Sequence, residues 1–72
     1  MTAPDDQAYE RALAELRALV EEAGDTLVFA RRTGDVIELV YYDKPDNDGW
    51  RVLFSLRDDG TLQRLGRNRY RF

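Results

Sequence analysis

The sequence predicts an α+β domain of two layers, an N-terminal helix packed on one face of a four-stranded antiparallel meander, in the order α-β-β-β-β. Three observations predict it. One apolar stripe of helical period runs through the first two dozen residues. Everything after Gly24 falls into runs rich in β-branched and aromatic residues, several of them alternating with period two. The runs are joined by short connections, most of which carry a glycine, and short connections favour antiparallel neighbours.

The helix is read over 4–24, "PDDQAYERALAELRALVEEAG". Tyr9, Ala12, Leu13, Leu16, Leu19, Val20 and Ala23 recur at three- and four-residue steps and make one buried stripe. Pro4 suits a first turn, Asp5 and Asp6 sit where the helix dipole favours negative charge, and either Thr2 or Asp5 can cap. Gly24 is the expected left-handed stop. Strands follow at 26–32, 36–42, 50–57 and 61–72, with "TGD", "DKPDNDG" and "DDG" between them and a bend or bulge expected at Gly66.

Strict alternation sorts the side chains of each strand. Leu27, Phe29, Ile37, Leu39, Tyr41, Trp50, Val52, Phe54, Leu56, Leu62, Tyr70 and Phe72 are expected to face the helix, the last two provided that Gly66 does not shift the register. The opposite face then mixes Val28, Ala30, Val40, Tyr42 and Leu53 with Arg32, Glu38, Arg51, Arg57 and the row Arg67, Arg69, Arg71. One helix covers one face, so apolar residues on the other imply either a contact surface or a sheet that curls to bury them itself. The arginine row has two readings as well: charge that keeps a terminal edge strand from pairing, or a stripe for phosphates or an acidic surface.

Charge is polarised along the chain. Residues 1–25 carry a net −5, residues 26–60 a net −2 and residues 61–72 a net +4, within an overall −3. An acidic total disfavours general nucleic-acid binding, while the polarity leaves room for a local basic patch. Tyr42 is the one aromatic expected free on the outer face, fewer than the stacking rings that single-strand binders usually offer.

Length and residue types narrow the chemistry. Seventy-two residues make a single domain, 1–72, and bury only about 60% of the unfolded surface. There is no histidine and no cysteine, and Ser55 is the one serine. The usual general base, thiolate and metal ligands are therefore missing, so no enzyme activity, no metal site and no cofactor are expected. "DKPDNDG" fails as an EF-hand loop: with Gly49 at its sixth position, Lys44 falls at the first and Ser55 at the twelfth. No apolar stretch approaches the roughly 20 residues that span a bilayer. With no leader-like run and no cysteine, a cytoplasmic setting without a membrane segment is expected.

The functional expectation is a small non-catalytic interaction module: an adaptor, inhibitor, immunity-type or accessory protein, or a homodimer. Its binding residues are expected to be Val40, Tyr42 and Leu53 as an apolar centre, with Arg51, Arg57, Arg67, Arg69 and Arg71 as a charged rim and the C-terminal strand as a second docking edge. The alternative is a nucleic-acid-binding module that sets the same arginine row on phosphates.

Overall fold

The computed structural model describes residues 4–43 and 48–71. Helix α1 spans Asp6–Glu22, followed by β1 (Thr26–Thr33), β2 (Val36–Asp43), β3 (Asp48–Leu56) and β4 (Leu62–Arg69). The strands pair antiparallel in the order β1-β2-β3-β4, an open four-stranded meander with the helix layered on one side. The α+β reading holds.

Local chemistry sets both helix ends. Asp5 is the N-cap, and its Oδ1 accepts from the Ala8 amide at 2.9 Å. Pro4 therefore precedes the cap instead of opening the first turn, while Thr2 lies outside the described residues. At the other end Gly24 takes φ 79°. The Gly24 amide donates to the Glu21 carbonyl and the Asp25 amide to the Val20 carbonyl, which is the Schellman closure.

The turns follow the glycines. Between Thr33 and Val36 the two-residue connection Gly34-Asp35 has φ 61° at Gly34, as a primed hairpin turn requires. Between β3 and β4, the Gly60 amide donates to the Arg57 carbonyl, and Asp59 Oδ1 accepts from both the Thr61 amide and hydroxyl. That pairing holds the exposed Asp59 carboxyl below its ordinary range, chiefly through the Thr61 hydroxyl. β3 begins at Asp48, two residues before the expected start, because Asp48 and Gly49 still pair with Asp43 and Tyr42 of β2. Residues 44–47 of the polar loop lie outside the described residues, and so does Phe72.

The core sits between the helix and the first half of the sheet. Tyr9, Ala12, Leu16 and Val20 meet Ala30, Ile37, Leu39 and Leu56, with Leu27, Tyr41, Phe54 and Leu62 packed around them. Arg17 ties the layers together, its Nη2 donating to the Ala30 carbonyl at 3.3 Å.

Two bulges correct the expected faces. In β1 the pairing runs from Leu27↔Tyr41 straight to Phe29↔Val40, so Val28 is an extra residue. Beyond it every side chain changes side. Ala30 turns into the core and Arg32 toward the helix, where its guanidinium lies 3.8 Å from the Tyr9 ring centre and its Nη1 donates to Asp6 at 2.6 Å. Phe29 and Arg31 turn to the far face. In β4 the extra residue is Leu65, between the pairs Phe54↔Arg64 and Leu53↔Gly66. Arg67 and Arg69 therefore stand opposite Val52 and Trp50 on the helix side of the sheet. Tyr70, whose amide donates to the Gly49 carbonyl, falls on the far side.

The expected kink at Gly66 thus falls one residue earlier. Gly66 itself has no left-handed φ, and a Cβ there meets nothing within 4 Å. Gly66→Ala is expected to raise stability by about 0.4–1 kcal/mol, by narrowing the unfolded ensemble. A chemical-denaturation midpoint that falls instead shows that the bulge needs the glycine.

Candidate functional site

The far face, expected to be open, is partly roofed by the chain itself. Phe29, from one edge of the sheet, and Tyr70, just past the other edge, bring their rings to 6.4 Å between centres at 87°, an edge-to-face contact. The two rings reach toward each other across β2 and β3, which separate the edge strands. Val40, the cross-strand partner of Phe29, has 0% exposure. Tyr42, Leu53 and Arg51 are half-buried on the same side, and Val28 is 39% exposed.

At the centre of this face Glu38 is 6% exposed, not solvated as its place in the alternation implied. Arg31 Nε donates to its Oε1 at 2.7 Å, and Arg51 Nε donates to its Oε2. The Arg51 hydrogen bond does most to hold the Glu38 carboxyl below its ordinary value; burial opposes it and Arg31 adds to it. Arg51 is therefore engaged within the fold.

The structure thus divides the expected binding set. Val40, Tyr42, Arg51 and Leu53 do share a face, but Val40 is enclosed and Arg51 is paired. Arg57 is exposed at the end of β3 and Arg71 is exposed beyond β4. Arg67 and Arg69 lie on the opposite side, so the expected single apolar centre with an arginine rim does not form there. The physical reason is the inserted residue in β4, which alternation alone does not reveal.

A different surface is open. The helix packs chiefly over β1, and its cover over β3–β4 is partial: Val52 and Leu56 are buried, Phe54 and Leu62 are half-buried, and Arg64 and Arg67 are exposed. There a groove of about 390 Å³ runs between the helix and the sheet. Its floor is Leu39, Tyr41, Val52 and Phe54; its helix wall is Leu16, Leu19, Val20 and Ala23, closed by Asp25; its strand wall is Arg64 and Arg67. Leu19 is 53% exposed on the rim. Glu15 and Glu22 stand one helical turn to either side of Leu19 on the same flank.

Trp50 fixes the basic wall. The Arg67 guanidinium lies 3.8 Å from its ring centre and that of Arg69 lies 5.4 Å away. Arg69 also reaches Asp48 at 3.6 Å. The indole Nε1 is buried with no hydrogen-bond partner among the described residues.

Sequence reasoning missed Leu19, Arg64 and the groove itself. A usable signal was present: Leu19 lies at the margin of the helix stripe, and four aromatic or apolar residues of β3, Trp50, Val52, Phe54 and Leu56, alternate on the one face that the single helix must cover. No group of three or more acidic, histidine or cysteine side chains that could hold a metal ion occurs among the described residues.

No protein-family model, curated protein or solved structure matches the chain significantly.

Proposed function

We propose that the protein is a small non-catalytic interaction module, and that the half-covered helix-side face is where it binds another protein. The observation that carries this reading is the groove: an apolar floor bordered by opposite charges, acidic along the helix and basic along β4. Leu19, 53% exposed on the rim, and the half-buried Tyr41 and Phe54 leave apolar area that a partner can bury, and the charged borders give orientation and rate. The exposed β4 edge continues the same surface and offers unpaired backbone groups for strand addition. Among the described residues no helix is long and apolar enough to cross a membrane.

A nucleic-acid reading rests on one observation, the stacking of Arg67 and Arg69 on Trp50, which sets cations beside an aromatic ring. The opposite wall weakens it, because Asp25, Glu15 and Glu22 repel a phosphate chain laid in the groove.

The two readings separate in one experiment. A photo-crosslinking residue at position 19 is expected to give discrete protein adducts in cells, reduced by Arg64→Glu/Arg67→Glu. Absence of protein adducts, together with steep salt-dependent retention on heparin that the double substitution abolishes, overturns the protein reading in favour of nucleic acid.

A further inference from the structure

We infer that the β4 edge takes an extended acidic segment of another protein as a fifth strand, with the acidic residues at alternate positions. The inference rests on the reading of this surface as a protein-docking site and names the chemistry of the partner.

The backbone and the side chains of β4 present the same residues to an incoming strand. β4 ends the sheet and pairs with β3 alone. The Tyr70 amide donates to the Gly49 carbonyl of β3. Successive residues of a strand direct their amides and carbonyls to opposite edges, so Arg69 and Arg67 direct theirs outward. Their side chains stand on the helix side, opposite Trp50 and Val52, and Arg64 stands on that side opposite Phe54. All three arginines are exposed. A strand laid along this edge therefore meets, at alternate positions, both a backbone pairing site and a guanidinium. A carboxylate placed directly across from an arginine is a favourable cross-strand pair.

Two of these arginines are held in place beforehand. The Arg67 guanidinium lies 3.8 Å from the Trp50 ring centre and that of Arg69 lies 5.4 Å from it. Stacking takes up the flat face of a guanidinium and leaves the N–H groups in its plane to grip a carboxylate. Side chains ordered before binding lose less entropy on binding. Arg69 meets Asp48 only at 3.6 Å, beyond ordinary hydrogen-bond length, so that exposed pair gives way readily to a closer carboxylate.

The charge pattern turns away the chain's own edges. Residues 61–72 contain no acid, and β1, the other edge, carries Arg31 and Arg32 and no acid either. Pairing β4 with β4 or with β1 of another copy sets arginines together without a carboxylate. A basic edge thus blocks edge-to-edge growth and still admits a strand of opposite charge. The acidic helix packs chiefly over β1, at the far edge of the sheet from β4.

The test is a titration of the full chain, followed by fluorescence anisotropy, with a labelled eight-residue peptide of the same length as β4 that alternates glutamate with threonine. The peptide is expected to bind, more weakly as salt rises. Arg67→Glu/Arg69→Glu should weaken binding about a hundredfold. N-methylation of the peptide amides that face β4 keeps every charge and removes ladder hydrogen bonds, and should weaken it about tenfold or more. In NMR the bound peptide should slow amide exchange at Arg67 and Arg69 and leave that of Tyr70, already bonded to Gly49, nearly unchanged. Circular dichroism checks that the variant folds.

A peptide that does not bind overturns the proposal. So does a peptide that binds as well when N-methylated and leaves exchange at Arg67 and Arg69 unchanged, because the row is then a charge patch and not a pairing edge. If the peptide fails and the crosslinker at position 19 still captures a protein, the acidic strand is wrong and the interaction module stands. If both fail, both readings fall.

Discussion

Ile37→Ala is expected to cost about 3–4 kcal/mol, within the usual range for removing a buried isoleucine side chain. Ile37 is 0% exposed and faces the helix, where it pairs with Arg32 in β1 and Phe54 in β3 and joins the cluster with Tyr9, Ala12 and Leu16. Every described residue of that cluster lies in the helix or in a strand. A domain of this length has a total stability on the order of 4–11 kcal/mol, so the substitution removes a large share of it. Urea unfolding should show the midpoint falling by about 3–4 M at an unchanged slope of about 1 kcal/mol/M. A loss below about 1 kcal/mol means that the helix does not sit on Ile37 and that the layer assignment is wrong.

The second large effect concerns Glu38. Its carboxyl is nearly enclosed and receives hydrogen bonds from Arg31 and Arg51, while both arginines keep substantial exposure. Glu38→Gln should cost about 1.5–3 kcal/mol near neutral pH, the range for hydrogen bonds to charged groups. Both arginines can swing into water, which keeps the cost below that of stranding a fully buried charge.

The same group gives stability an acid limb. Folding lowers the Glu38 pKa from its ordinary 4.5, so in the acid range the unfolded chain binds more protons than the folded one. Its contribution is complete above that ordinary value and is lost as pH falls from there through the depressed native value. Asp59 is shifted in the same direction, so the decisive quantity is the wild-type stability minus that of Glu38→Gln, measured by denaturation from neutral pH downward. The difference should shrink as pH falls. A constant difference shows that the arginines do not hold the carboxylate in solution.

Much of the architecture was legible because it rests on local chemistry. The apolar stripe from Tyr9 to Val20 has a helical period whatever surrounds it, and Gly24, Gly34 and Gly60 mark places where a left-handed backbone suits glycine. Trp50, Val52, Phe54 and Leu56 keep strict alternation through an unbroken strand, so their common face was readable as well. The candidate site was much less legible. Two arginines of the expected rim, Arg67 and Arg69, changed face with the inserted Leu65, and Glu38 passed from an expected solvated position to the centre of an ion-pair cluster once Val28 brought Arg31 beside it.

Period, turn chemistry and the acidic-to-basic drift along the chain therefore determined the element order, the antiparallel meander and the charge at each end. Only the tertiary structure decided which side of the sheet stays open. A bulge costs one residue and leaves composition and period almost untouched, yet it reverses every side chain beyond it. How far a helix of fixed width reaches across four strands depends on where it docks, and docking is a property of the packed layers that no single segment carries.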